Sequence, residues 1–292
     1  MTPKTKNLLL LHFIVFVWGW TAVLGKIITL PALQLIWIRV VLAFSGMLAY
    51  VLFTGIPLFK LSGKTVLQLL GIGLLVGLHW ICFYGAVKVS NVSVTLACFS
   101  TGALFTSLLE PIFYKRRFLW YEFLFGLIVI GALLLIFNVE THYARGIILG
   151  IDAALTSSMM GILNSIVSRR EHGSGVISVY EMVGCWLCIS VSLFWRHPEQ
   201  ATIMNISEKD WLYLLVLALG CTTVPYIIGV YVLKKVSPYT MALTLNLETI
   251  YGILFAYFIF TSSEKMSASF YIGASIILGT VVADTAIKRY VK

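Results

Sequence analysis

The sequence predicts an all-α, polytopic membrane protein of ten transmembrane helices in a 5+5 inverted repeat. Apolar residues make up 60% of the 292 residues and charged residues only 11%, whereas soluble domains carry about 25% charged residues. The mean hydropathy of +0.96 indicates the same membrane class. With about 20 residues per span and short loops, a chain of this length accommodates about ten helices and no separate soluble domain.

Ten apolar runs reach the length that crosses a bilayer, five in each half of the chain. The first five cover residues 8–28, 33–53, 66–87, 92–114 and 119–138. The second five cover residues 146–167, 176–195, 211–233, 239–260 and 270–287. We therefore predict that residues 1–141 form the first five-helix repeat and residues 142–292 the second, within one membrane domain.

The positions of the basic residues predict how the helices are oriented. With the N-terminus in the cytoplasm, most of the 21 Lys and Arg residues fall in cytoplasmic segments, as the positive-inside rule requires. Both termini are therefore expected in the cytoplasm, and the short loops favour a bacterial inner (plasma) membrane. Because each half holds an odd number of spans, the second half must cross the membrane in the opposite direction.

Two windows of the sequence, one in each half, resemble each other. Residues 88–90 and 235–237 are both Lys-Val-Ser, and each is followed by about 20 apolar residues and a polar break. This similarity favours an internal duplication. A repeat of helical membrane units is typical of transporters and pores whose working site lies between the halves.

The residue pattern argues against several other kinds of site. All five cysteines lie in apolar runs, and Cys185 and Cys188 form a C-x-x-C without nearby His ligands, so buried helix positions are favoured over a disulfide or a metal site. The excess of basic residues is explained by cytoplasmic loops that face anionic lipid rather than by nucleic acid. We expect no metal and no cofactor.

Glu248 is the first candidate functional residue, because it lies near the middle of the ninth apolar run. An ionised carboxylate at that depth is costly unless it is paired or hydrated, so it should face the interior of the bundle. Such a group could bind a proton on one side of the membrane and release it on the other. The alternative is a structural hydrogen bond to Asn246 or to a neighbouring helix. His79 could share the proton-coupling role because imidazole titrates near neutral pH, or it could only join two helices.

Further polar and aromatic residues lie at similar depth when the rise of an α-helix is counted from the cytoplasmic ends. The predicted substrate-binding residues are Trp18, His79, Trp80, Tyr84, Ser100, Thr101, Ser157, Tyr226, Asn246 and Glu248. Aromatic rings among them, together with Trp20, could stack on a planar or apolar substrate or could simply pack between helices.

Charged residues nearer the membrane surfaces are weaker candidates. Arg39, in the outer third of the second run, could attract an anionic group or snorkel to the interface, and a structural anchoring role is favoured. Lys26 lies close enough to the outer surface to snorkel. Three acidic residues near the cytoplasmic ends are expected to be solvated: Glu110, Glu181 and Asp284.

Together with the architecture, two short motifs carry a resemblance to a known family. They are the Trp-Ile-Arg of residues 37–39 and the polar helix end of residues 262–266, which includes Glu264. With ten spans in an inverted repeat, the chain resembles the EamA-like branch of the drug/metabolite transporter superfamily. It departs from that pattern at Thr249, where members often have proline after the ninth-span glutamate, and at residues 116–117, which are basic. The resemblance implies a secondary carrier that needs no cofactor.

We therefore predict a secondary active or facilitative transporter that exports small metabolites by alternating access with proton coupling. Its partners would be a small-molecule substrate, the lipid bilayer and protons. Amino acids or related zwitterionic or apolar compounds fit best, because only Arg39 and Lys26 could offer positive charge to a more anionic ligand. The alternatives are a lipid-linked or nucleotide-sugar translocator and a membrane-embedded transferase enzyme, although the scattered histidines do not favour an enzyme.

Overall fold

The computed structural model describes residues 3–115, 117, 120–139, 141–170, 173–198, 206–261 and 263–290. These residues form helices joined by short loops. In the first half the helices are α1 (Pro3–Ile27), α2 (Ala32–Thr54), α3 (Gly63–Val89), α4 (Val92–Phe99), α5 (Gly102–Tyr114) and α6 (Trp120–Val139). In the second half they are α7 (Ala144–Ser168), α8 (Ser174–Val191), α9 (Glu208–Leu215), α10 (Val224–Leu233), α11 (Pro238–Phe260) and α12 (Ala268–Tyr290).

Eight helical stretches in the described part of the chain are long and apolar enough to cross a membrane. They are Thr5–Ile27, Ala32–Thr54, Gly63–Val89, Val92–Tyr114, Thr141–Ser168, Ser174–Trp195, Glu208–Leu233 and Pro238–Phe260. Two shorter apolar helices, Leu124–Ile136 and Ala268–Thr280, overlap the predicted fifth and tenth spans. The prediction of an all-α, polytopic membrane protein is confirmed, whereas the count of ten and the inverted repeat stay predictions.

Three of the predicted spans are not continuous α-helices, and the seventh span ends in a π-helical turn, Ser192–Arg196. The fourth span is divided into α4 and α5 at Ser100 and Thr101. The eighth span contains a π-helical segment, Val216–Thr223, between α9 and α10, and Pro225 lies in the first turn of α10. Proline supplies no N–H for the α-helical pattern, and π-helical turns occur often at functional sites. A proline inside the eighth apolar run predicts such an interruption from the sequence alone, and the irregular backbone does lie directly before Pro225.

The two halves of the chain meet where α3 packs along α7 and α8. Glycines allow the backbones of α3 and α8 to approach closely. A Cβ atom on Gly73 would lie 2.2 Å from the carbonyl oxygen of Glu181, and one on Gly184 would lie 2.2 Å from that of Leu70. Small residues at such crossings are the usual means of helix packing in lipid, where apolar burial gives little pairing force.

Gly73→Ala is expected to destabilise the protein by about 1–3 kcal/mol or more, because the added methyl group collides with the backbone of α8. Gly71→Ala is the matched control on the same helix, since no atom lies within 4 Å of the Cβ it would add. The measurement is the thermal unfolding midpoint of each purified variant in the same detergent. Equal midpoints for the two variants would contradict this account of the α3–α8 crossing.

The outside of the bundle is strongly apolar, as lipid contact requires. Phe53 is 92% exposed, Phe258 is 75% exposed and Leu52 is 68% exposed. Inside, buried apolar side chains from both halves form the main core. An apolar exterior of this extent marks a membrane-facing surface rather than a solvated one.

Candidate functional site

The interior of the bundle contains a cavity of about 120 Å³. Its walls come from both halves of the chain: α1 to α5 on one side, and α7, the π-helical segment, α10 and α11 on the other. The cavity extends to Leu233 and Pro238, which flank the Lys-Lys turn of residues 234–235. A space of this size holds several water molecules or a small solute.

Eight of the ten predicted substrate-binding residues line this cavity. They are Trp18, His79, Trp80, Tyr84, Ser157, Tyr226, Asn246 and Glu248. The other two do not line it: the hydroxyl of Ser100 donates a hydrogen bond to the carbonyl of Ala97 at 2.6 Å, and that of Thr101 donates to the carbonyl of Cys98 at 2.7 Å. Those two hydroxyl groups therefore bond to backbone carbonyls at the break between α4 and α5. The binding roles of all ten residues stay predictions.

Arg39 is buried in the cavity wall, at 3% exposure. Its Nη1 donates a hydrogen bond to the Tyr84 hydroxyl at 2.6 Å, and its Nε donates one to the Thr222 hydroxyl at 2.8 Å. The guanidinium also lies over the Trp80 ring, with Cζ 4.0 Å from the ring centroid. Arginine has five N–H donors in a fixed plane, so this orientation leaves donors for a ligand.

Snorkelling of Arg39 to the interface, one of the two roles considered from the sequence, is therefore wrong. The reason is the π-helical segment before Pro225. The Thr222 hydroxyl donates to the Leu217 carbonyl at 2.7 Å, and this bond fixes the hydroxyl that accepts from Arg39. Thr222 was not among the predicted substrate-binding residues.

Glu248 also faces the cavity and is 5% exposed. Arg39 is the charged side chain that acts on it electrostatically, but the two make no direct ion pair. In the described part of the chain, no side chain or backbone group donates a hydrogen bond to the Glu248 carboxylate, so the structural bond to Asn246 considered above is not formed. The cavity thus holds a guanidinium group and a carboxyl group that make no direct contact with each other.

Asn246 and His79 also belong to the polar lining of the cavity. Asn246 is 6% exposed, and its Nδ2 has no hydrogen-bond partner among the described residues. A buried amide nitrogen without an acceptor is uncommon and suits a bound ligand or water. The Nδ1 of His79 lies 2.9 Å from the Ala153 carbonyl, so His79 joins α3 to α7 and keeps its second ring nitrogen for another partner.

Some of the candidate aromatic residues line the cavity and one does not, depending on which way each side chain points from its helix. Trp18, Trp80, Tyr84 and Tyr226 line the cavity. Trp20, two residues beyond Trp18 on α1, instead stacks on Phe255 with ring centroids 4.2 Å apart. The cavity role considered for Trp20 is therefore wrong, because two residues along an α-helix point in nearly opposite directions.

Glu181 is a residue whose environment was wrongly predicted. The sequence placed it near a solvated helix end, but it is 0% exposed on α8. Its Oε2 accepts a hydrogen bond from the Tyr226 hydroxyl at 2.7 Å and one from Asn164 Nδ2 at 3.4 Å. α3 packs closely against α8 and shields Glu181 from solvent. The distance of a residue from the end of its helix does not reveal whether a neighbouring helix buries it.

The sequence model of the EamA-like transporter family matches residues 5–138 and again residues 144–283. The chain belongs to the EamA-like transporter family. This match confirms the resemblance to the drug/metabolite transporter superfamily. A solved structure described as "Crystal structure of protein" shares the fold with a TM-score of 0.71 at 13% identity, over 97% of this chain and 99% of that one. No curated protein matches the sequence.

In this EamA-like transporter, an ion pair stabilises the end of the bundle at which α1 ends and α4 begins, which we call the sealed end. Lys26 Nζ lies 2.7 Å from Glu264 Oε1, and Glu264 is 0% exposed. The same carboxylate accepts hydrogen bonds from Val92 N at 3.0 Å and from Ser93 N at 2.9 Å, at the N-terminus of α4. The charge of Lys26 is therefore paired within the protein, and Glu264 binds the first N–H groups of α4. Snorkelling of Lys26 stays a prediction.

A second contact at the sealed end joins α9 to the loop after α1. The Asp210 carboxylate accepts hydrogen bonds from Thr29 N at 2.9 Å and from the Thr29 hydroxyl at 2.6 Å. The ammonium group of Lys88 donates to the Ile28 carbonyl nearby. These contacts join the first and second halves at the end opposite the one toward which the cavity extends.

Glu264→Ala is expected to destabilise the transporter by about 3–5 kcal/mol, because it removes a buried ion pair together with the hydrogen bonds that Glu264 accepts from Val92 N and Ser93 N. Lys26→Met is the matched variant and should cost roughly 1–3 kcal/mol, since it leaves the helix cap in place. Thermal unfolding midpoints in one detergent compare the two. A larger loss for Lys26→Met would contradict this account, because it would show that leaving the Glu264 carboxylate unpaired costs more than removing it.

Proposed function

We propose that this EamA-like transporter exports small zwitterionic metabolites, with amino acids as the leading class, by alternating access coupled to protons. One observation carries the proposal. Arg39 and Glu248 are both buried in one cavity, at 3% and 5% exposure, and make no ion pair with each other. Buried opposite charges that are held apart are complementary to a ligand that carries both charges.

A zwitterion would satisfy both groups at once. Its carboxylate would accept hydrogen bonds from Arg39, which Tyr84 and Thr222 already hold in one orientation. Its ammonium group would donate to Glu248, and its side chain would contact aromatic rings such as Trp18. A nucleotide sugar carries at least two negative charges, and the cavity lining offers it one basic side chain among the described residues, so that alternative has less support.

Proton coupling follows if a proton and the substrate ammonium compete for Glu248. A protonated Glu248 no longer attracts the ammonium group, so proton entry from outside would favour substrate release there. His79 stays a second candidate for the proton, because it lines the same cavity and its bond to Ala153 occupies one ring nitrogen. This scheme exchanges one proton for one substrate.

The shape of the cavity supports the direction of transport. We place the transporter in the inner (plasma) membrane with both termini in the cytoplasm, as the basic residues predict. The cavity then extends toward the cytoplasmic face, near Leu233 and Pro238, while the contacts of Lys26 and Asp210 lie on the outer side. Substrate would enter from the cytoplasm and leave after the sealed end opens.

The test is uptake of labelled amino acids and other metabolites into proteoliposomes, with and without an imposed pH gradient. We expect saturable flux of a zwitterionic solute that increases when the gradient is applied. Saturable flux that does not change with the gradient would support a carrier and contradict proton coupling. Absence of saturable flux for every zwitterion, together with flux of an anionic or lipid-linked solute, would overturn the substrate assignment.

A further inference from the structure

A second buried carboxylate lies behind the cavity wall and has no role in the exchange scheme above. Glu181 is fully buried, and it does not line the cavity. Its two hydrogen-bond donors, Tyr226 of α10 and Asn164 of α7, do line it. The cluster formed by Glu181, Tyr226 and Asn164 therefore contacts the cavity on one side and α8 on the other.

The surroundings of Glu181 offer no compensating positive charge in the described part of the chain. The titratable groups that face it are Tyr226, from α10, and Cys185, one turn further along α8. α7 supplies the neutral Asn164. Glu248 differs in this respect, because Arg39 faces it across the cavity.

The neighbouring helices α3 and α2 also supply no positively charged partner to Glu181. α3 approaches Glu181 through Gly73, which has no side chain. From α2, Arg39 makes no ion pair with Glu181 and directs hydrogen bonds to Tyr84 and Thr222 instead. An ionised carboxylate in this position would be a buried charge without a partner of opposite sign, which is among the costliest arrangements in a folded protein.

Two oxygen atoms of the cluster have no hydrogen-bond partner among the described residues: Glu181 Oε1 and Asn164 Oδ1. Both are acceptors, so the cluster lacks a donor. A proton on the Glu181 carboxyl group removes the charge and supplies that donor. Rotating the Asn164 amide by half a turn exchanges its oxygen and nitrogen, and the oxygen then lies where it can accept from the protonated carboxyl group.

We propose that Glu181 is a second proton-binding site of this transporter, separate from Glu248, which exchanges its proton with the cavity past Tyr226 and Asn164. A metal cation is a poorer occupant, because hard cations take about six oxygen ligands and the cluster has only two unpaired oxygens. The bound proton stabilises the packing of α7, α8 and α10 around Glu181. Loss of the proton creates a carboxylate that requires water, so it favours a conformation in which these helices separate.

The direct test is infrared spectroscopy of the purified transporter in lipid, without any substrate. The wild-type protein at neutral pH should show the carbonyl stretching band of a protonated carboxylic acid, and Glu181→Gln should remove it. Glu208→Gln is the control, because Glu208 is exposed at the start of α9. A band that persists unchanged in Glu181→Gln would overturn the proposal, whether or not the transporter carries zwitterions.

If Glu181→Gln fails to fold, Tyr226→Phe retains the carboxyl group and keeps the proposal testable. Removing the Tyr226 hydroxyl takes away a hydrogen bond to Glu181, so the pH at which the band disappears should change. An unchanged titration would contradict the assignment of the band to Glu181. A band that disappears on addition of sodium at constant pH would show that a metal cation occupies the cluster instead.

A transport measurement tests the coupling, and this part of the inference rests on the proposed function. Glu181→Gln should retain exchange of labelled for unlabelled substrate, because Arg39 and Glu248 are intact. Its net flux should lose the increase that a pH gradient produces in the wild type. If Glu181→Gln retains the full response to the gradient, Glu181 does not take part in proton coupling and has only a structural role.

Discussion

Glu248→Gln is expected to abolish transport driven by a pH gradient while the protein still folds. Gln has nearly the same shape as Glu but cannot carry a charge or release a proton. A hydrogen bond to a charged group contributes about 1.5–3 kcal/mol, so binding of an ammonium-bearing substrate should weaken roughly 10- to 150-fold. The measurements are gradient-driven flux in proteoliposomes and equilibrium binding of the labelled substrate.

The controls for Glu248→Gln separate loss of function from loss of structure. Glu208→Gln removes an exposed carboxylate on α9 and should leave flux unchanged. The unfolding midpoint of Glu248→Gln should be at or above that of the wild type, because Gln keeps the size of the buried side chain and cannot ionise. Normal gradient-driven flux in Glu248→Gln would show that Glu248 does not couple transport to protons.

Arg39→Lys is expected to weaken binding of a substrate carboxylate by roughly 10- to 100-fold, although it retains the positive charge. Arg39 contacts Tyr84, Thr222 and the Trp80 ring at the same time. A lysine ammonium is a compact charge on a flexible chain, so it cannot reproduce the planar fork and the ring contact together. Equilibrium binding of the labelled amino acid measures the loss.

The matched control is Arg145→Lys, because Arg145 is exposed at the start of α7. A second comparison uses an amino-acid amide, which has the ammonium group but no carboxylate. Arg39→Lys should reduce binding of the amino acid more than binding of its amide, and Glu248→Gln should affect both alike. Equal losses for the two ligands in Arg39→Lys would show that Arg39 supports the fold of the cavity rather than contacting the carboxylate.

Arg39 is held in place by residues from both halves of the chain. Thr222 holds Arg39 from a π-helical segment of the second half, while Tyr84 holds it from α3 of the first half. Any movement of one half relative to the other would change the orientation of the guanidinium. The affinity for a carboxylate is therefore expected to differ between inward-facing and outward-facing conformations, as alternating access requires.

Depth in the membrane was predictable from the sequence to a useful degree. Counting along each apolar run placed Trp18, Ser157 and Glu248 at one level, and all three line the cavity. The membrane class and the transporter family were also predictable, because they depend on composition and on patterns that extend along the whole chain. The irregular backbone near Pro225 followed from the missing N–H of proline.

Helix rotation was not predictable, since most of these helices are apolar on every side and show no polar face that would indicate the interior. Trp18 lines the cavity while Trp20 packs outside it, and the sequence treated them alike. Glu181 was expected in water because only its distance from the helix end was known.

By itself, then, the sequence determined that this protein is a helical membrane protein of the EamA-like type, and it predicted most of the polar residues that line the cavity. Only the tertiary structure decided which of those residues face one another. Lys26 meets Glu264, and Arg39 meets Thr222, across 238 and 183 residues of chain. Contacts of that separation depend on how helices pack and rotate against each other, and packing in lipid is set by shape and polar contacts rather than by apolar periodicity.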